Sequence, residues 1–270
     1  MNDSVILLGA VAYDPKVVPI WEGIRDYFQN AGVPMDFVLF SNYERQVTSL
    51  LAGHIDIAWN TPLAHARVKH HTQGRSCSLG MRDSDRDFHS RVIVRKDAGI
   101  RKLNDLEGKR LAVGSRDSTQ ARILPLHFLR QAGVNLESVQ LVVFDTDVGK
   151  HGDTGTSELE VLEALRRGDA EAGTVGDLVW VGEQAAGRID ANLLESLWTT
   201  PGFDHCMFDA LPDFDAETAR RFQAALFAMQ WDNPEHRPIL ELEGLKEWLP
   251  PREEGYESLQ AAVDDQGYPL

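Results

Sequence analysis

Cysteine is nearly absent: the 270-residue chain has two, Cys77 and Cys206. That is too few for a disulfide framework or a thiolate zinc cluster, and their spacing alone does not say whether they pair. Basic residues are also scarce. Lys and Arg number 27 against 42 Asp and Glu, a formal net charge of −15, which excludes a generic binder of nucleic-acid backbones. Long apolar runs are missing too. The first, Val5 to Ala12, is too short to span a bilayer, follows an Asp and lacks a basic flank or small-residue cleavage signature; it reads as a buried first strand rather than an export signal. No G-x-G-x-x-G, Walker loop, G-x-S-x-G elbow, kinase signature, H-E-x-x-H or C-x-x-C occurs, so neither a cofactor nor a metal is expected.

What is present is a globular chain. At 43% apolar and 26% charged residues it can bury a substantial core, and its length suits one large α/β unit or two lobes of ~130 residues. Residues 5–12 predict a strand. Val17, Ile20, Trp21, Ile24, Tyr27 and Phe28 recur at helical spacing up to a stop at Gly32, and Phe37–Phe40, a helix capped by Asn42 and Ile55–Trp59 complete a βαβαβ series. A His-containing helix follows, then strands at Cys77–Met81 and Arg91–Arg95. A second series runs from Arg110–Gly114 through a helix from about Gln120 to Ala132, strand Leu141–Phe144 and helix Ser157–Arg167 to strand Ala170–Val175. Short βαβ connections call for right-handed crossovers and mostly parallel sheets covered by helices. Helices are expected at 216–231, 239–248 and 256–263. Two apolar segments, His89–Arg95 and Leu197–Phe208, are the expected crossings between a first lobe of residues 1–88 and 199–270 and a second of 89–198, with a ligand cleft between them.

In open α/β sheets ligands settle beyond the carboxyl ends of the strands. The loops there carry Tyr13, Tyr43, Asn60, Thr61, the Ser118-Thr119-Gln120 step and Thr156. Free N–H groups at a helix start suit an oxyanion, although Asp117 or Ser118 could equally serve as plain caps. The tyrosines either meet a ligand or shield the sheet end. His151, in a Gly-Lys-His-Gly-Asp loop, is the most ligand-like histidine, against the alternative of simple exposure. His65, Lys69, His70 and His71 cluster on one short helix without a completed metal-ligand pattern.

The string Tyr13-Asp14-Pro15, Asn42-Tyr43-Glu44, Leu51-Ala52-Gly53-His54-Ile55-Asp56-Ile57-Ala58-Trp59-Asn60-Thr61-Pro62-Leu63-Ala64 resembles the start of the phosphate/phosphite/phosphonate substrate-binding proteins of ABC transporters. The middle, Val92-Ile93-Val94-Arg95-Lys96-Asp97, then Leu103 to Gly114 and Asp117-Ser118-Thr119 with Pro125, resembles the same family. The likeness runs over about residues 8–180. It implies a two-lobed type 2 periplasmic-binding fold, two crossing strands at its hinge, closing on a small anion such as phosphate or a phosphonate. Tyr43, Ser118 and Thr119 would lie on the ligand with Thr61, Tyr13 and His151 nearby, and an ABC permease would be the partner of an exported form. Gln120-Ala121-Arg122 departs from the family's small Ser-Gly continuation and predicts crowding of a compact phosphonate head, favouring a different or larger anion. The opening Met1-Asn2-Asp3-Ser4 carries no leader, so a full-length chain is expected in the cytoplasm and a trimmed one in the periplasm or lipid-anchored. The same fold also houses cytoplasmic enzymes of decarboxylase or cofactor-precursor type, for which His65, His89 and His151 are the candidate acid/base groups.

Overall fold

The computed structural model describes residues 5–150 and 155–270; the candidate His151 lies outside them. The chain runs β1 (Ile6–Val11), α1 (Val17–Asn30), β2 (Met35–Phe40), α2 (Tyr43–Leu51), β3 (Ile57–Asn60), α3 (Pro62–His71) and β4 (Cys77–Arg82). There follow β5 (Ser90–Arg95), β6 (Arg110–Val113), α4 (Leu124–Gln131), β7 (Gln140–Val143), α5 (Thr156–Arg167), β8 (Ala172–Gly176), α6 (Asp177–Ala185) and β9 (Leu194–Thr199). It ends with β10 (Met207–Ala210), α7 (Ala216–Phe227), α8 (Arg237–Glu243), β11 (Trp248–Leu249) and α9 (Glu257–Gln266).

Two compact units result. One gathers the chain up to Asp87 and Asp204–Tyr256, the other Phe88–Phe203 and Glu257–Pro269. The chain thus passes between units at 87/88, 203/204 and 256/257, and the last passage carries α9 to the second unit, where it packs on α4. The sequence grouping had left these residues with 199–256.

Each unit is built on one sheet, ordered β11-β4-β10-β3-β1-β2 in the first and β7-β6-β8-β5-β9 in the second. Both βαβαβ series close with the same local order, their first strand central between the second and third. The sheets are mixed rather than mostly parallel. Parallel pairing is confined to β2-β1-β3 and β7-β6-β8, while β10 runs against β3 and β4, β11 against β4, and β5 against β8 and β9. The helical connections β3-α3-β4 and β8-α6-β9 likewise keep their strands in one direction; the sheets are mixed because β10 inserts between β3 and β4, and β5 between β8 and β9, each against its neighbours.

Burial follows the periodicities. On α1 the residues Val17, Ile20, Trp21, Ile24 and Phe28 face inward, and Phe28 stacks on Phe222 at 5.0 Å between ring centroids. Trp59, Phe208 and Trp248 extend this aromatic core. In the second unit Val92, Val94, Leu111 and Val113 fill one face of the sheet and Ile93, Ala112 and Val175 the other, as a sheet covered on both sides requires. Helix α8 stops at Glu243, short of the expected Trp248, because Gly244 takes a left-handed φ of 80° and Trp248 pairs with Arg82 of β4. The segment 197–208, read as one crossing, contains the end of β9 and the start of β10, which belong to different sheets. Both cysteines are free thiols.

Candidate oxyanion site

In the second unit β6 ends at Val113 and leads through Gly114–Ser118 into a π-helical turn, Thr119–Ile123, continuous with α4. Ser118 caps that turn: its Oγ accepts from Ala121 N at 3.2 Å and its carbonyl from Ile123 N at 3.0 Å. The N–H groups at the very start of a helix have no intrahelical acceptor and point outward. Around them lie three buried hydroxyls, Ser115 and Thr119 at 0% exposure and Ser157 at 1%, and none of the three finds a hydrogen-bond partner among the described residues. A buried polar group left unpaired costs about 1–3 kcal/mol, so three around one turn constitute a built demand for a polar guest. Their proximity depends on Gly114, where an added Cβ would fall 2.6 Å from Ala121 Cβ and 3.4 Å from Ser157 Oγ.

The other predicted residues of this unit are placed differently. Gln120 is buried, but its amide donates to Glu158 Oε1 at 3.0 Å, and Glu158 also accepts from Gly176 N. Thr156 is exposed, whereas the next residue, Ser157, turns inward. The sequence does not single out Ser115; Ser157 reads there as a cap with Glu160 at a second oxyanion-suited helix start, and in the structure Gly155 takes the N-cap position. The loop before α5 is fastened by Asp147 Oδ2 accepting from Ser157 N at 2.6 Å and by Asp117 Oδ2 accepting from Gly149 N at 2.7 Å. His89 is half-buried with Nδ1 2.8 Å from the Thr200 carbonyl oxygen.

In the first unit Asn42 caps α2 by accepting from Arg45 N at 2.9 Å, which sets Tyr43 at the helix start with 5% exposure. Tyr13 follows β1, half-buried, with Lys16 Nζ 5.8 Å from its ring centre. Thr61 precedes α3, is 1% exposed and has an Oγ1 without a partner among the described residues. Asn60 is committed elsewhere. Its Oδ1 accepts from Gln46 Nε2 at 2.8 Å and its Nδ2 donates to Asp209 Oδ2 at 2.9 Å. His65 joins the same buried network, with Nδ1 2.9 Å from Asp209 Oδ1, Nε2 3.8 Å from Glu253 Oε2 and its ring against Tyr256. Burial opposes its charge, yet Asp209 and then Glu253 outweigh that and raise its pKa from 6.5 to about 9. His65 is therefore an imidazolium neutralised by carboxylates, a poor proton acceptor near neutral pH.

Asp85, His205 and Cys206 bring potential metal-ligating atoms within 4.8 Å of one another. Both oxygens of Asp85 already accept from Arg82, at 2.6 and 2.7 Å. Burial works to raise the Asp85 pKa, and Arg82 more than offsets it, holding the carboxyl well below the usual range. A cation there would have to displace a guanidinium. Among the described residues no helix is long and apolar enough to cross a membrane.

Residues 10–256 match the family described as the periplasmic substrate-binding protein of phosphonate ABC transporters. The chain is 23% identical over 246 residues to a probable ABC transporter phosphite-binding protein, PhnD1, of Prochlorococcus marinus, covering 87% of this chain and 80% of that one. The structure of PhnD1 in complex with methylphosphonate superposes with a TM-score of 0.77 at 21% identity over 98% of this chain and 99% of the other. XAC2383 from Xanthomonas citri, bound to ATP, gives 0.75 at 18% identity over 97% and 98%. The fold is the two-lobed α/β fold of type 2 periplasmic-binding proteins, shared also with the aliphatic sulphonate-binding protein SsuA from Escherichia coli at a TM-score of 0.59. On the match over residues 10–256, this chain belongs to the phosphonate substrate-binding proteins of ABC transporters.

Proposed function

We propose that the protein captures a small phosphorus oxyanion of the phosphite, phosphonate or phosphate class. In the second unit Ser118, Thr119 and the N–H groups of the π-turn serve the ligand, and in the first unit Tyr43, Thr61 and Tyr13 are its candidate contacts. The observation that carries this reading is the ring of three buried, unpartnered hydroxyls, Ser115, Thr119 and Ser157. Hydroxyls both donate and accept, so they suit a partly protonated oxyanion as well as a fully ionised one. The relatives that bind phosphite or methylphosphonate support the choice of ligand class. Family membership makes a membrane permease the partner to which the loaded protein delivers its ligand.

No basic field draws the ligand in. At a net charge of −15 recognition rests on aimed dipoles and hydroxyls, and since each neutral hydrogen bond contributes about 0.5–1.5 kcal/mol, several must converge. Gln120, which stands where the resemblance implies a small residue, is held by Glu158. Calorimetric titration with phosphite, methylphosphonate, phosphate, sulfate and ATP is the test. Saturable one-to-one binding of a phosphorus oxyanion, weakened by about tenfold or more by Thr119→Val and separately by Thr61→Val, is expected. Silence with every phosphorus compound, together with an unchanged melting temperature, would refute the proposal.

A further inference from the structure

A π-turn displaces the usual four-residue hydrogen-bond ladder, so its carbonyls need donors from outside the helix. In the second unit Gly114 N, just past the end of β6, donates to the Ala121 carbonyl at 3.1 Å, and side chains donate from three directions. Ser90 Oγ at the start of β5 donates to the Gln120 carbonyl, and Thr174 Oγ1 of β8 donates to that of Ala121 at 2.6 Å. The third direction is the far end of the chain. Gln266 Nε2, the last residue of α9, donates to the Ile123 carbonyl at 2.9 Å, and Tyr268 Oη donates to the Arg116 carbonyl. Between them Gly267 takes a φ of 64°, folding the chain back so that Tyr268 N reaches Val263 O at 3.0 Å. Asp265 Oδ2 also lies 3.0 Å from His127 Nδ1 on α4, outside hydrogen-bond alignment.

Arg116 and Ile123 bracket Ser118 and Thr119. We infer that Gln266 and Tyr268 are positioning residues for the oxyanion site, clasping the two ends of the turn that presents Ser118 and Thr119; the inference rests on the function proposed above. The chemistry is directional. Both donors meet carbonyls on the polypeptide that carries the anion-binding hydroxyls, so they fix its course without themselves supplying an anion ligand. Burial raises the Tyr268 pKa, with the nearby Arg122 opposing, so the phenol keeps its proton at neutral pH. A turn held before the ligand arrives has already lost the conformational freedom that binding would otherwise have to remove.

The experiment compares wild type, Gln266→Leu, Tyr268→Phe, the double variant and a control on the same helix, Asp264→Asn, whose side chain accepts only from Gln260 of α9 itself. Methylphosphonate and phosphite are titrated by calorimetry, and amide hydrogen exchange of residues 119–124 is followed without ligand. Each single variant is expected to bind about five- to tenfold more weakly, with faster exchange at Ala121 and Ile123, while the control matches wild type. Binding equal to wild type in the double variant overturns the inference, as does a loss of affinity that tracks a general fall in melting temperature with no selective change in the turn. If wild type itself binds neither anion, the functional proposal fails, and exchange alone then judges the clasp: protection of the turn unchanged in the double variant refutes it, and selective loss supports it.

Discussion

At the scale of single residues the molecule separates polar groups that are spent from those that are held in reserve. Asn60, His65 and Gln120 are buried and engaged within the protein; Ser115, Thr119, Ser157 and Thr61 are buried and unengaged among the described residues. Replacing an unengaged hydroxyl by an apolar isostere removes a desolvated group without breaking a bond, which is neutral or stabilising for the empty protein. Thr119→Val is therefore expected to keep or raise the melting temperature while weakening anion binding by about tenfold or more; a lower melting temperature in the ligand-free protein would show that the hydroxyl has an internal role. The opposite holds for His65. Its pKa is raised from 6.5 to about 9, so its contribution to stability is complete below 6.5 and disappears as pH rises through about 9. Glu253, half-exposed and stabilised as a carboxylate first by His65 and then by Lys69 and Ser78, falls from 4.5 to about 2; its smaller, solvent-screened contribution is present above 4.5 and lost as pH falls toward 2. Melting temperatures followed from pH 6 to 10 are expected to decline in wild type, and Asp209→Asn to flatten that decline while lowering stability throughout. A parallel decline in both proteins would rule out His65 as its source.

Among the elements, the junction of β6, the π-turn and α5 sets the site. Gly114 permits it, since a Cβ there meets Ala121 at 2.6 Å and Ser157 Oγ at 3.4 Å. Gly114→Ala is expected to cost about 1–3 kcal/mol through overpacking and to push the turn and the start of α5 apart, weakening anion binding more than stability alone would predict. Denaturant titration and calorimetry on the same variant check both effects, and full affinity in Gly114→Ala would contradict this account of the junction. Gly173 is a useful comparison. A Cβ there would lie 2.5 Å from Val161 Cγ1, deep between β8 and α5, so Gly173→Ala should lose stability with little specific change in affinity.

For the whole molecule the decisive quantity is charge. A protein of net charge −15 repels the dianion it is proposed to bind, and salt screens that repulsion over about 10 Å at 0.1 M. Association of methylphosphonate, measured by stopped flow, is therefore expected to quicken as ionic strength rises from low to physiological values, the reverse of a basic, electrostatically steered site. A rate that falls with salt would point to a local positive patch stronger than the overall field.

Periodicity alone determined the two βαβαβ series. Apolar residues at helical and strand spacing, with stops at Gly32, Gly53 and Gly168, are local signals that the chain obeys wherever it is. The loops that carry Tyr43, Thr61 and Ser118-Thr119 were legible for the same reason, because they follow predictable strand ends. Tertiary structure decided the rest. β10 slides between β3 and β4 from more than a hundred residues away, and no local pattern announces such a pairing. Asn60 and His65 look available in the sequence, and only the arrival of Asp209 on that strand occupies them. The last helix reads in the sequence only as a helix over 256–263, yet in the structure α9 runs on to Gln266 and its end reaches the π-turn. Whether a polar side chain is satisfied depends on partners brought by distant segments, and that is information a sequence holds only through its folded form.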